Sequence, residues 1–546
     1  VLVANPDLSD YPHLAPLNVE DELERARCSL DGIPVTVLAS TTTSEPLPQG
    51  RASLEDLLIH LRDGYDILYL VCHGTLVGGE PTLWLEDKEG NVERVSGNRF
   101  VAGLSKLSSH PRLIVLASCQ SAGSGRETHA ALGNALSALG PRLAEACIPA
   151  VVAMQGDVAM ETAAEFMSVF FHELSRDGQI DRAMAAARNH VQAPGSDWWR
   201  PALFMRLKSG RIWYTPGFGG DAHEIETWPP LLDAIEGDEE DSYCTPILGP
   251  GLTDPLLGSH REIARQWAEE LHFPMAYHCR EDLSQVAQYL AVLWQDRPLR
   301  NHLRKHLWRE LLERCGPALP GDSSDGLLQA LHEFVQSTSA QGAEFEPLEP
   351  YRILAQLPFR IYITADPTNL LEETLIAAGK EPQHRVCPWR EEIRPADYEF
   401  DDTPSVHRPL VYYLLGSFHR PQSLVLTEDN CYDFLIGITA RKDRIPLVVR
   451  SALAEHELLF LGFRIQERGF RVLLRAIMNC EGRTAAPVPS VAAQVYPEED
   501  YAQEPERARR YLERYFQTAK INIYWGSAGD FVRELGRRWQ ERGGKL

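Results

Sequence analysis

Two stretches of the chain end an apolar run on a side chain capable of covalent chemistry. The first, Asp66-Ile-Leu-Tyr-Leu-Val-Cys-His-Gly74, delivers His73 and Gly74. The second, Leu113-Ile-Val-Leu-Ala-Ser-Cys-Gln-Ser-Ala-Gly123, delivers Cys119 and then small residues. A thiolate is a strong nucleophile, and a neighbouring imidazole lowers the thiol's pKa and later protonates a leaving amine. A glycine beside the histidine lets a backbone N–H approach a developing oxyanion unobstructed. The small residues after Cys119 leave a cleft open for a peptide. A cysteine alone at a strand end is more often a small buried hydrophobe. The His-Gly partner, arriving in the right order, turns the reading toward catalysis. Cys72 precedes His73, points to the opposite face of the strand and reads as core. Cys28 and Cys147 read as packing residues.

The elements that must position this pair belong to a block running from residue 1 to about 215. Short apolar strands alternate with amphipathic helices there, as in an α/β layered sheet. Strands are predicted at Leu2–Ala4, Pro34–Leu38, Ile67–Cys72, Leu113–Ala117 and Ala150–Met154. Met160, Ala163, Ala164, Met167, Phe170, Phe171 and Leu174 fall on one helix face and read as packing against the sheet. In parallel α/β sheets the carboxyl edge of the strands is where sites are built, and both His73 and Cys119 sit there.

These two motifs resemble those of the CHAT peptidases, relatives of caspases and separase. The resemblance extends through Ile148-Pro-Ala-Val-Val-Ala-Met-Gln-Gly-Asp157, Phe170-Phe-His-Glu-Leu, Asp181-Arg-Ala-Met-Ala-Ala-Ala-Arg188 and Trp199-Arg-Pro-Ala-Leu-Phe, covering nearly all of 1–215. The separation of His73 and Cys119 is close to the roughly 50 residues between His and Cys in caspases. The resemblance implies a caspase-like α/β sandwich and a cysteine endopeptidase with a His73–Cys119 dyad, often attached to a sensing module. Asp157 is a candidate for selecting a basic substrate residue, or equally a helix N-cap.

Between about 216 and 242, Gly217, Gly219, Gly220, Pro229 and Pro230 precede the acidic run Glu236-Gly-Asp-Glu-Glu-Asp241. This composition reads as an interdomain linker. A second block follows, from 243 to 546. It opens with a strand and the turn Thr245-Pro-Ile-Leu-Gly-Pro-Gly251, continues through a helical insertion to about Glu344, and returns to strands at Phe359–Thr364, Leu410–Leu414, Ser423–Leu426 and Leu458–Phe463.

Leu248-Gly-Pro-Gly-Leu-Thr253, Ile361-Tyr-Ile-Thr-Ala-Asp-Pro-Thr-Asn-Leu-Leu-Glu372, Tyr412-Tyr-Leu-Leu-Gly-Ser417, Ser423-Leu-Val-Leu-Thr-Glu-Asp-Asn430, Leu458-Leu-Phe-Leu-Gly-Phe463 and Ile523-Tyr-Trp-Gly-Ser-Ala-Gly-Asp-Phe531 together resemble a bacterial SIR2-like domain. That implies a Rossmann-type parallel α/β sheet whose glycine-rich loop faces a pyrophosphate at a helix N-terminus. Active members carry Thr-Asn where this chain has Ala365-Asp366, and His-Gly where it has Leu415-Gly416. Leucine cannot accept a proton, so the resemblance implies a binding domain rather than an NAD-consuming one. Gly249, Gly251, Thr253, Asp366, Asn369, Gly416 and Ser417 are the candidate nucleotide-binding residues, though each residue type is also ordinary in a turn or at a strand end. His407 and His419 lie out of register with the missing base and read as surface or capping residues. Arg533, Arg537, Arg538, Arg542 and Lys545 read as a solvated helix face.

The bulk numbers bound these expectations. The chain of 546 residues is too long for one core. With 77 acidic against 54 basic residues and a formal net charge of -23, it lacks the basic footprint for broad nucleic-acid binding or an anionic membrane surface. No apolar run spans a bilayer. The opening Val-Leu-Val-Ala reads as a core strand with further chain expected upstream, and lacks the features of a secretion signal. The 10 cysteines are scattered without a Cys-x-x-Cys pair, which suggests reduced cytoplasmic thiols and no metal centre. The expectation is a cytoplasmic cysteine endopeptidase that needs no cofactor for catalysis and cuts a protein substrate. A nucleotide second messenger such as NAD, ADP-ribose or a cyclic ADP-ribose would activate it in an antiphage or cell-suicide role, with homo-oligomerisation on activation. The alternatives are an NAD-consuming effector regulated by its protease-like half, and a scaffold in which neither half catalyses.

Overall fold

The computed structural model describes the chain apart from residues 12–16, 31–32, 40–46, 63, 108–109, 118–138, 147, 155–159, 194–197, 208–209, 214–215, 219–220, 238–242, 295, 316–325, 341–345, 391–402, 465–469, 472, 476, 478–489, 495–504 and 545–546. Val1–Thr215 form the bulk of one compact unit; Pro216–Glu498 with Glu506–Leu546 form the other. No helix among the described residues is long and apolar enough to cross a membrane.

The first unit is a six-stranded sheet. Its strands are β1 (Leu2–Val3), β2 (Leu38–Ala39), β3 (Ile67–Val71), β7 (Leu113–Ala117), β8 (Ala150–Met154) and β9 (Pro201–Met205), in the order β2-β1-β3-β7-β8-β9. All neighbours are parallel except β9, which runs antiparallel to β8. A parallel sheet covered on both faces needs strands apolar at nearly every position. Ile67-Leu-Tyr-Leu-Val71 meets that need: Tyr69 and Val71 join the core under the helix Met160–Asp177, while Leu68 and Leu70 join the core on the other face. In that helix the predicted stripe is buried at Met167, Phe170, Phe171 and Leu174. Two features were not expected. β9 is one. The other is a separate antiparallel sheet of β4 (His73–Val77), β5 (Glu80–Glu86) and β6 (Val92–Ser96), inserted between β3 and the helix Gly97–Leu104.

The second unit is a seven-stranded, wholly parallel sheet in the order β12-β13-β11-β10-β14-β15-β16. The strands are β10 (Cys244–Leu248), β11 (Ile361–Thr364), β12 (Gln383–Val386), β13 (Leu410–Tyr413), β14 (Glu457–Leu461), β15 (Ser490–Gln494) and β16 (Ile521–Trp525). Among the described residues, five α-helices between His260 and Gln356 make the insertion. They pack through Trp267, Leu290, Leu307 and Leu331 into the larger of the unit's two cores.

The structure corrects two expectations here. Ser423–Leu426 is no strand: Ser423 ends a 3-10 turn. The segment read as a linker holds the helix Asp221–Glu236, with Trp228, Leu231 and Ile235 buried in the second unit. Trp228 stacks on Phe531 at 5.3 Å, and Gly217 and Trp525 exchange backbone hydrogen bonds. Prolines 229 and 230 lie within this helix, and its apolar face outweighs the flexible composition of its flanks.

One buried group sets a pH dependence. His306, on the helix Asp296–Cys315, is 2% exposed and meets the Trp267 ring at 6.0 Å. Burial pushes its imidazole down to about 4 from the ordinary 6.5. The unfolded chain therefore takes up the proton first, and stability falls as pH drops from about 6.5 toward 4. His306→Leu should remove about 2 kcal/mol of the loss between pH 7 and 4.5, read as urea unfolding of the second unit. An unchanged pH slope would refute the assignment.

Candidate functional site

Register brings the two reactive motifs into step. β3 and β7 pair with Ile67 opposite Leu113 and Val71 opposite Ala117. His73 is the second residue after Val71, and Cys119 the second after Ala117. The two strands thus run in parallel toward one edge, and His73 and Cys119 follow them in the sequence after the same interval. His73 is buried and opens β4, where it lies opposite Trp84, with Gly74 opposite Leu83. Cys119 and Asp157 lie outside the described residues.

Cys72 is buried as expected. Burial pushes its thiol up to about 12, against a smaller downward pull from a hydrogen bond with the Trp84 backbone. It stays protonated and is no nucleophile. Cys28 departs from expectation: it is exposed, on the outer side of the helix Val19–Ser29, whose Leu23 and Ala26 turn inward.

In the second unit the chain runs β10, then β11 on one side, then returns as β14 on the other, so β10 marks a topological switch point. Gly249, Gly251 and Thr253 follow β10 directly. A Cβ on Gly249 would lie 2.6 Å from the Gly462 carbonyl oxygen, and one on Gly251 2.7 Å from it. The glycines are there because two backbones touch. The N–H groups of Gly249, Gly251, Leu252 and Thr253 donate to the carbonyls of Leu461, Gly462, Gly249 and Pro250. The loop expected to cradle phosphate has therefore committed these donors to its own fold.

Asp366 follows β11 and is 6% exposed. Its Oδ2 accepts from the Thr253 hydroxyl at 2.8 Å and its Oδ1 from the Thr368 N–H at 2.7 Å. The Thr368 hydroxyl also donates to Oδ1. This carboxylate staples the end of β11 to the β10 loop. Asn369 is buried; its amide donates to Leu328 O and Glu373 Oε1, while its Oδ1 has no hydrogen-bond partner. Gly416 and Ser417 serve a turn. Gly416 has φ +92, and a Cβ there would lie 2.3 Å from Ser423 O. The Ser417 N–H donates to Ser423 Oγ at 3.1 Å.

The sequence reading missed several groups. Desolvation lowers the imidazole of His260, the first residue of the helix His260–Glu270, below its ordinary value, with Asp366 pulling the other way and Arg464 adding to the fall, so the basic group near the switch point is Arg464. The Gly462 turn, inside a segment quoted for its resemblance, signalled this edge through its Leu-Gly-Phe run. His419 sits 3.5 Å from Glu372, whereas His407 lies 4.0 Å from Glu381 with both side chains largely exposed. Burial raises the Glu372 carboxyl, but hydrogen bonds from His384 and His419 override it and hold the group at about 2. The same contact raises His419 above its ordinary value against an opposing desolvation.

With this geometry in place, comparison with known families gives two matches. Residues 15–232 match the CHAT domain model, and residues 361–520 match the SIR2-like domain model. No curated protein matches the chain. The protein joins a CHAT domain to a SIR2-like domain. The SIR2-like match begins at β11, so β10 and its glycine loop lie outside the matched residues although β10 is central to the same sheet.

The turn after β13 gives a direct check of the site's architecture. Gly416→Ala should destabilise the second unit by about 2–4 kcal/mol, combining the left-handed backbone with a backbone collision. Gly379→Ala, with φ +78 and open space around it, should cost about 1 kcal/mol. Equal costs in denaturant titration would show that the turn does not depend on Gly416.

Proposed function

We propose that this protein is a cysteine endopeptidase of the CHAT type, with Cys119 as nucleophile and His73 as its base and later acid, controlled by a nucleotide bound to its SIR2-like domain. The observation that carries the catalytic half is the β3–β7 register, which sends His73 and Cys119 from equivalent positions of adjacent parallel strands, within residues matching a CHAT domain. His73 would draw the proton from the Cys119 thiol as it attacks the scissile carbonyl, then return it to the departing amine. The Gly74 backbone N–H would face the oxyanion. Asp157 remains a candidate for choosing a basic substrate residue.

The regulatory half is a receptor for an ADP-ribose-containing nucleotide: NAD, ADP-ribose or a cyclic form. A receptor is favoured over an NAD-consuming enzyme because the Asp366 carboxylate is already spent on Thr253 and Thr368, and Leu415 has no proton to exchange. Arg464 supplies basic charge near the switch point, where the glycine loop's own donors are engaged. The ligand must bind the active state more tightly than the inactive one to shift it. An antiphage or cell-suicide role, acting in the cytoplasm and involving assembly of several chains, is the biological setting this pairing suits.

Cleavage of a proteome-derived peptide library tests both halves. Cys119→Ala and His73→Ala should each lower cleavage by about 10³-fold or more, while Cys72→Ala leaves activity within about threefold. Wild type should cut only with one of the three nucleotides, and Arg464→Ala should raise the concentration needed. Nucleotide-independent cleavage would remove the receptor reading alone. NAD consumption with no Cys119-dependent cleavage would overturn the proposal.

A further inference from the structure

The strongest unassigned cluster of chemistry-bearing side chains lies at the β12 side of the second sheet. The helix Leu370–Ala377, the edge strand β12 and the turn after β13 bring Glu372, His384 and His419 together, each offering one ligand atom within 4.8 Å of the others. His384 Nδ1 is 2.5 Å from Glu372 Oε1, and His419 Nε2 is 3.5 Å from Oε2. The side chains of Glu372, His384 and His419 are 13%, 28% and 40% exposed. The cluster is therefore sunk at the carboxylate and open at His419.

Its parts are held from behind. His384 is fixed by the ladder opposite Val411, and its ring lies against Tyr413 at 4.6 Å. Its Nε2 is turned into the protein with no hydrogen-bond partner, so the ring presents Nδ1 to the cluster. The Tyr413 hydroxyl donates to Thr368 O, tying this wall to the segment that carries Asp366. His419 is aimed by its own N–H, which donates to Ser417 Oγ. A carboxylate between two imidazoles, one on a strand and one on an open turn, is more constrained than a chance group of surface charges.

We infer that Glu372, His384 and His419 form a binding site for one divalent transition-metal ion of the kind that imidazole nitrogen favours, with zinc the chief candidate. Two imidazoles and one carboxylate with an open outer side are the donor set of a three-ligand zinc site. A calcium or magnesium ion needs more oxygen donors than the cluster provides. With bonds of about 2.0–2.2 Å to each ligand, the ion separates Glu372 from His384 and draws in His419, the most exposed of the three. The metal displaces the proton between His384 Nδ1 and Glu372, and the neutral ring carries its one remaining proton on Nε2. This inference stands apart from the peptidase and nucleotide readings.

Cobalt(II) titration of the untagged full chain carrying Cys119→Ala, followed by visible absorption, tests it. One equivalent should bind with the spectrum of nitrogen and oxygen ligation and be displaced by zinc. His419→Ala should weaken it at least tenfold, and Glu372→Gln more. His407→Ala, at an exposed histidine ahead of β13, should leave binding unchanged. Because Glu372→Gln disturbs a buried group, His419→Ala decides the matter, with its metal-free thermal unfolding compared with that of the parent. Zinc should raise the unfolding temperature of the parent and not of His419→Ala. Absence of this equivalent, or equal binding and equal stabilisation in His419→Ala, overturns the inference.

Discussion

Parallel strand pairing is the constraint on which both units depend. It sends the carboxyl ends of neighbouring strands to one edge, and it fixes the interval at which each strand lets go. In the first unit that constraint sets His73 and the Cys119 segment in step, because Val71 and Ala117 are partners. In the second it gathers Gly249, Asp366 and Gly462 at the ends of β10, β11 and β14. The sheets are buried on both faces, so a slip of register would cost the packing of whole rows of side chains. The positions of the strand ends are thereby secured by hydrophobic burial away from that edge.

The two edges use this constraint differently. In the first unit the chain leaves β3 for a small antiparallel sheet whose first residue is His73, so the imidazole sits in a hydrogen-bonded ladder rather than on a loose loop. In the second, backbone meets backbone at Gly249, Gly251 and Gly462, and the donors a phosphate would seek are consumed. Asp366 closes the same gap with a carboxylate fully engaged by threonines. A site organised this way is held in place by its own backbone and by Asp366.

Much of this was legible in the sequence because buried parallel strands are written as unbroken apolar runs. Ile67–Val71, Leu113–Ala117 and Ala150–Met154 announced themselves, as did the edge that carries His73. The misses have physical reasons. Gln383–Val386 is an edge strand with half-exposed polar residues and so lacks the apolar signature. Ser423–Leu426 has the composition of a strand, yet Ser423 spends its hydroxyl on Arg420 and its carbonyl on Trp389. The antiparallel β4–β6 sheet was signalled by Asp87–Asn91, a turn with Gly90 at φ +95, between alternating segments. Glu372, His384 and His419 come from three separate elements, and no local spacing could have joined them. The linker composition around 216–242 concealed a helix because its apolar residues find their partners far along the chain, on β16 and the last helix as well as on β10.

That last helix, Ala528–Glu541, has a consequence of its own. Trp228 and Phe218 rest on its Phe531, and Arg538 lies over the Trp228 ring. The same helix lies against the Pro250–Leu252 segment of the glycine loop and against the helix Glu349–Gln356. The polypeptide therefore comes into the second unit along the very rod that braces the loop at its switch point. A displacement of the entering helix Asp221–Glu236 and a shift of that loop are thus borne by one element of the second unit.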